Sequence, residues 1–191
     1  MSTAMFPEDE AALSDAILDT AGPLQILGGG TRRVGRISEG RKLSTAQLKG
    51  IVLYEPGALT IVAKTGTPIA EIENVLAAEN QMLAFEPMDH RVLLGTQGTP
   101  TLGGVMAANV SGPRRIQVGA ARDFALGISF VDGSGQLLKN GGRVMKNVTG
   151  YDLVKLMVGS WGTLGVLSEV ALKVLPVSET QATLKIHVSS W

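Results

Sequence analysis

Three short segments combine glycine with hydroxyl or cationic side chains: Gly28-Gly29-Gly30-Thr31-Arg32-Arg33-Val34-Gly35, Gly98-Thr99-Pro100-Thr101-Leu102-Gly103-Gly104 and Gly159-Ser160-Trp161-Gly162-Thr163-Leu164-Gly165-Val166. Each adjoins an apolar run, so each reads as a turn at the end of an ordered element. Small residues with free backbone N–H groups at such turns let a chain lie close against a pyrophosphate. One loop of this kind is a weak signal; three in one chain point to a dinucleotide laid across several loops.

The first segment is not the fingerprint of the doubly wound fold. Its glycines are consecutive, no G-x-G-x-x-G is present, no helix pattern follows, and the phosphate-binding lysine motif is missing too. Consecutive amides can still form a nest for an anion, with Arg32 or Arg33 offsetting part of its charge, and a plain structural turn is the competing reading. In the stretch from Gly98 to Asn109, Gly103, Gly104, Ala107 and Ala108 fit either a flat ligand or tight helix packing, but Thr99 and Thr101 add hydroxyl donors that steric packing alone does not need. The third segment leads into a strand pattern ending at Pro176, whose backbone could read the edge of an adenine ring; a simple β-turn competes there.

The elements that must hold these loops follow from periodicity. Pro7 with Glu8, Asp9 and Glu10 opens a helix carrying Leu13, Ile17 and Leu18 and stopped by Gly22-Pro23. Leu24–Leu27 is a buried strand running into the first loop, and two more strands, 50–54 and 59–63, flank Glu55-Pro56-Gly57. Thr67 as cap and Pro68 at the first helical position start a second helix with Ile69, Ile72, Val75 and Leu76 on one face, ending near Asn80. Strands are expected at 124–131, 136–139 and 165–174, and a short helix at 151–158. The expected fold class is α+β, with a small, partly parallel lobe over about residues 1–95 and a mainly antiparallel lobe over about 96–176.

Composition limits the function. The chain has 191 residues, 45% apolar and 18% charged, with 17 basic and 17 acidic side chains, so no global field draws it to nucleic acid. It contains no cysteine, which removes disulfides, thiolate metal sites and iron–sulfur ligation, and no metal is expected. The acidic start lacks a signal pattern and no apolar window is long enough for a membrane span, so a cytoplasmic location is expected, with any membrane association made through partners. His90 and His187, the two histidines, have no nucleophile or carboxylate at a triad spacing and read as surface residues. Asp132 reads as a hairpin turn, and Tyr151 and Asp152 as packing or capping of a helix. No catalytic residue can be assigned.

The ordered series Gly28-Gly29-Gly30-Thr31, Val62–Gly66, Thr101-Leu102-Gly103-Gly104, Arg122–Gly127, Gly142–Leu153 and Gly162-Thr163-Leu164-Gly165-Val166 resembles the FAD-binding domain of the vanillyl-alcohol oxidase and p-cresol methylhydroxylase type over nearly the whole chain. Arg143–Leu153, and Trp161 where many relatives carry an acid, look most like the FAD-binding E subunit of bacterial glycolate oxidase. The resemblance implies a two-lobed fold holding FAD between its lobes. Carried over by position, Gly28, Gly29, Gly30 and Thr31 form the pyrophosphate loop and Thr101, Leu102, Gly103 and Gly104 line its other side. Gly66, Gly162, Thr163, Gly165 and Val166 fall near the adenine and ribose, and Arg32, Thr99 and Asn109 complete the cofactor-binding set. Relatives that tether their flavin often use a histidine just after the glycine loop; Thr31-Arg32 stands there, so the FAD is expected to be non-covalent. Relatives also continue into a cap domain, of which 177–191 would be a truncated start.

The function implied is that of an FAD-binding subunit in a complex that oxidises a small 2-hydroxy acid such as glycolate, with a sister FAD subunit and an iron–sulfur subunit as partners. It is expected to be inactive without them. The alternatives are a truncated assembly module with weak or no FAD binding, and a stand-alone oxidase of the same fold.

Overall fold

The computed structural model describes residues 4–32, 34–35, 39–144 and 150–187. Arg33, part of the block Arg143–Leu153 (145–149) and the last four residues of the expected cap start lie outside them.

Asp9 starts the first helix: its carboxylate accepts the Ala12 N–H at 2.8 Å, and α1 (Glu10–Leu18) then buries Leu13 and Ile17. The strand β1 (Leu24–Leu27) pairs in parallel with β2 (Arg41–Ser44), a strand that its charged sequence conceals. β3 (Ile51–Glu55) and β4 (Thr60–Lys64) join through a single 3-10 turn, Pro56–Ala58. Then follow α2 (Ile69–Ala77), β5 (Gln81–Met82), α3 (Arg91–Leu94), α4 (Leu102–Ala107), α5 (Arg115–Val118), α6 (Ala121–Phe124), β6 (Ala125–Val131), β7 (Leu137–Gly141), α7 (Leu153–Met157), β8 (Val166–Lys173) and β9 (Leu175–Pro176).

The main sheet runs β3-β4-β8-β6-β7, antiparallel throughout, with β5-β9 a short separate pair. Two of its strands precede residue 95 and three follow it. A boundary there therefore divides the chain but not the sheet, because β4 must reach across to β8 to bury Ile61 and Ala63. The fold is α+β, as expected.

Apolar packing has two centres. The larger unites the inner face of the sheet (Ile61, Ile128, Phe130, Val170, Leu172) with α2, α4 and α7, and includes the tilted pair Phe85–Phe124. The smaller holds Leu13, Ile17, Leu43 and Leu48 against Val131 and Val166, with Leu24 and Ile26 alongside. β1 belongs to the smaller core and α4 to the larger, so the loop after β1 emerges where the two cores meet.

One cap differs from expectation. Thr67 does not cap α2; its hydroxyl accepts the Gly50 N–H at 2.9 Å and lies 3.2 Å from the Gly50 carbonyl, tying β3 to the turn after β4, and Pro68 takes the cap position without a side-chain bond. A fully buried threonine satisfies its hydroxyl wherever a backbone partner faces it, and here a distant strand does so.

Candidate functional site

The chain leaves β1 through Gly28-Gly29-Gly30-Thr31-Arg32. None of these five backbone N–H groups has an acceptor among the described residues. Thr31 is buried and the other four residues are half-buried. Buried N–H groups are rarely left without partners, and a run of them in one turn is the donor set of an anion nest. Gly30 has φ +74°, a left-handed conformation that favours glycine.

A second turn supports this loop. Gly29 lies so close to the Thr99 carbonyl that a Cβ there would collide with it. Thr96 donates its hydroxyl to the Thr31 carbonyl at 2.7 Å. Thr101, buried, caps α4 by accepting the Gly104 N–H at 3.4 Å, and its Oγ1 would lie 2.7 Å from a Cβ on Gly28. A third turn backs the second: Gly103 donates to the Thr65 carbonyl at 2.7 Å and Leu102 to that of Thr67 at 2.9 Å.

Arg32 closes the arrangement. Its Nη1 donates to the Gly104 carbonyl at 2.5 Å and its Nε to His90 Nδ1 at 3.2 Å, and among the described residues no carboxylate pairs with it. Asp89 is engaged instead by Arg91, whose bonds hold that carboxyl down at about 2. Burial pushes the Arg32 guanidinium below its ordinary value, with Asp89 pulling it back up. Arg32 nevertheless stays cationic at any physiological pH, since a guanidinium is too strong a base to lose its proton there. A half-buried cation with no ion-pair contact among the described residues, beside five N–H groups without a described acceptor, is suited to an anion.

The fourth glycine turn meets the others differently. Trp161 donates to the Ala107 carbonyl at 2.9 Å and Gly159 to that of Met106 at 3.1 Å, so this turn is anchored on the carboxyl end of α4, and Gly162 packs beside Ile26 of β1. The four turns therefore gather around α4 and the end of β1.

Within the expected set the roles separate. Gly28, Gly29, Gly30, Thr31, Arg32, Thr99, Thr101 and Gly104 surround the cradle. Leu102 is fully buried core, and Gly66 is buried with its N–H donated to the Leu48 carbonyl at 2.6 Å. Asn109, with φ +49°, ends α4 and accepts the Arg122 N–H at 2.9 Å through its side chain. Thr163 donates its hydroxyl within its own turn, to the Ser160 carbonyl at 2.6 Å. Gly165 packs against Phe130 and the Val131 carbonyl.

Val166 opens β8, pairs with Val131 of β6 and lies in the smaller core, and β4 pairs with β8 only from Glu169 to Lys173. His90, read as a surface residue, is half-buried and bonded to Arg32, 58 residues away, a contact that no local spacing signals. His187 is exposed, Asp132 forms the hairpin turn, and Asp152 caps α7, as read. Ser160 carries a buried hydroxyl with no partner among the described residues.

A shallow hollow lined by Asp89, Arg91, Thr96 and Gly98 adjoins the cradle, and another lies on the outer sheet face beside Val62, Ser129, Lys139 and Glu169, away from all four turns. No described helix is long and apolar enough to cross a membrane, and no described cluster of acidic and histidine side chains could hold a metal.

A family model described as FAD binding domain matches residues 2–141. The chain is 41% identical over 189 residues to the glycolate oxidase subunit GlcE of Escherichia coli K12, covering 98% of this chain and 51% of that protein. It is 33% identical over 126 residues to the glycolate oxidase subunit GlcD of Bacillus subtilis 168, covering 66% and 25% respectively. The chain thus spans about half the length of the first of these relatives and about a quarter of the second. An alkyldihydroxyacetonephosphate synthase structure matches with a TM-score of 0.68 at 22% identity, over 92% of this chain and 32% of that one, a likeness of fold alone. A family model spanning most of the chain shows where it belongs: the chain is a member of the FAD binding domain family.

Proposed function

We propose that this chain holds a non-covalent FAD within a glycolate oxidase-like complex that oxidises a small 2-hydroxy acid, and that the diphosphate of FAD lies on Gly28–Arg32. The observation that carries the reading is the placing of five amides without a described acceptor beside Arg32, which has no ion-pair contact among the described residues. Gly28, Gly29 and Gly30 present N–H groups to phosphate oxygens, Arg32 balances their charge, and the turns at 98–104 and 159–165 fix the loop's position. FAD supplies two-electron redox chemistry when bound. No covalent tether is required of Thr31-Arg32, which stand where tethered relatives carry histidine.

Likeness to GlcE and GlcD supports the choice of complex. A sister FAD subunit and an iron–sulfur subunit are the partners of this proposal, and the chain, having no cysteine, leaves the cluster ligands to another subunit. Without those partners the chain is inactive toward the hydroxy acid. Residues 1–176 make up the cofactor-holding unit, and 177–187, exposed and without helix or strand, lead away from it. The assembly works in the cytoplasm, reaching a membrane only through its partners.

Purified chain incubated with FAD and desalted should keep a visible flavin spectrum, and acid precipitation should release all the flavin as FAD. A colourless protein overturns the cofactor assignment, and flavin remaining in the pellet overturns the non-covalent one.

A further inference from the structure

The outer face of the main sheet holds a hollow that lies away from the four turns. Register sets two rows side by side across it: Val62, Ala171, Gly127 and Gly141 in the first, and Glu169, Ser129 and Lys139 in the second. Neither glycine raises a side chain, and the face sinks there into a hollow of ≈ 180 Å³. At its edge the chain turns back over the sheet. Gly141 has φ +73°, and a Cβ on Gly127 would meet the Gly142 carbonyl at 2.5 Å, so the turn lies directly on that glycine and carries Arg143 to the rim. Ser129 lines the hollow and is 3% exposed, yet its hydroxyl has no hydrogen-bond partner among the described residues. Lys139, Arg143 and Glu169 line it too, and none of the three forms an ion pair among the described residues.

A buried hydroxyl and unpaired charges beside an aliphatic floor complement a molecule with a polar head and an apolar tail. The charges set the sign of the head. Lys139 and Arg143 stand at the hollow and Lys64 lies directly opposite Glu169 on the same face, so the one carboxylate of the polar row is outnumbered by cations. The spacing sets the length, because rows two residues apart along a strand are about 7 Å apart and only a head followed by a short tail touches both. An apolar cavity of about 150 Å³ holds benzene, so this hollow has room for a ligand of similar size. We propose that the hollow is a binding site for a small aliphatic carboxylate, its head held by Lys139, Arg143 and the Ser129 hydroxyl and its tail lying on Leu53, Val62 and Ala171. An acid as small as glycolate has no tail to reach the aliphatic row, which separates this site from the reaction proposed above.

The probe is isovalerate, a branched aliphatic carboxylate, titrated at neutral pH into the full 15N-labelled chain. Acetate supplies the head without the tail, and isopentylamine supplies the tail with the opposite charge. Isovalerate should shift the amides of Gly127, Ser129, Gly141 and Ala171 in a saturable way, with half-saturation in the millimolar range that so small a ligand allows. Acetate should bind about tenfold more weakly for want of the buried methyl and methylene groups, and isopentylamine should leave these amides in place. Lys139→Gln and Ser129→Ala should each weaken isovalerate about fivefold, the size of one exposed ion pair or one ordinary hydrogen bond. Lys139 is exposed and the Ser129 hydroxyl bonds no described residue, so both variants should keep the spectrum of the folded chain. No saturable shift at these four amides, acetate binding as tightly as isovalerate, isopentylamine saturating the same amides, or unaltered affinity in both variants overturns the proposal. The titration needs no flavin, so its outcome is independent of the FAD reading.

Discussion

The loop after β1 and the loop before β8 are both rich in glycine and both end in ordered strands, yet they carry opposite loads. From Gly28 to Arg32 no backbone N–H has a described acceptor, whereas in the turn from Gly159 to Gly165 the N–H groups of Gly159, Ser160, Trp161 and Thr163 all donate to carbonyls, and the Thr163 hydroxyl does too. The first loop is held in place by its neighbours and keeps its own donors open. The second spends its donors on structure, with Gly159 and Trp161 tied to the end of α4, Ser160 to α7 and Thr163 to the turn itself. Glycine content marks a close approach of backbone in both; only the hydrogen bonds distinguish a cradle from its buttress.

The sharpest way to break this comparison is at Gly29. Gly29→Val places a branched side chain against the Thr99 carbonyl and should separate the two turns, lowering thermal stability by about 1–3 kcal/mol as overpacked sites do and abolishing measurable FAD binding. Retained binding would show that the contact between these turns is dispensable. Arg32→Ala should weaken FAD binding about 10- to 100-fold, the range for hydrogen bonds to charged groups, while circular dichroism shows an intact fold; a change below threefold would remove Arg32 from the cradle. Thr163→Val should show the reverse pattern, losing about 1 kcal/mol of stability with FAD affinity little altered, and a loss as large as that of Arg32→Ala would erase the distinction between the loops. The smallest effect concerns Asp89. Its carboxyl is held at about 2 by Arg91, below the 3.8 of an unstrained aspartate, so its support is present above the unfolded value and is lost only as the pH falls through about 2. An NMR titration of the carboxyl should therefore stay flat from neutral pH to about 4, and Arg91→Ala should move the midpoint upward toward the ordinary carboxylate value.

Much of this was legible in the sequence because it is local. The cap at Asp9 was not singled out, but the helix it opens was, through Leu13 and Ile17; the strands at 24–27, 51–55 and 60–64 follow from runs of β-branched and aliphatic residues between turns. β2 escaped because only Leu43 of its four residues is apolar, and its burial comes from β1 and α1. Thr67 was misread because a threonine before a proline looks like a cap, and only the folded sheet shows Gly50 opposite it. The glycine turns were readable as a set, but their division of labour was not. Val166, Asn109 and Leu102 belong to the expected cofactor set, while in the fold they meet Val131, Arg122 and the core. His90 was invisible for the same reason, its partner being brought to it by the packing of two loops.

The account rests on the amides of Gly28–Arg32 meeting a diphosphate. Two-dimensional 1H–15N spectra of the chain with FAD, and separately with riboflavin, which shares the ring but lacks the diphosphate, test this most directly. FAD should shift the amide signals of Gly28, Gly29, Gly30, Thr31 and Arg32 downfield in a saturable way, with riboflavin leaving them in place. Saturable FAD binding that leaves these five signals unmoved would contradict the account.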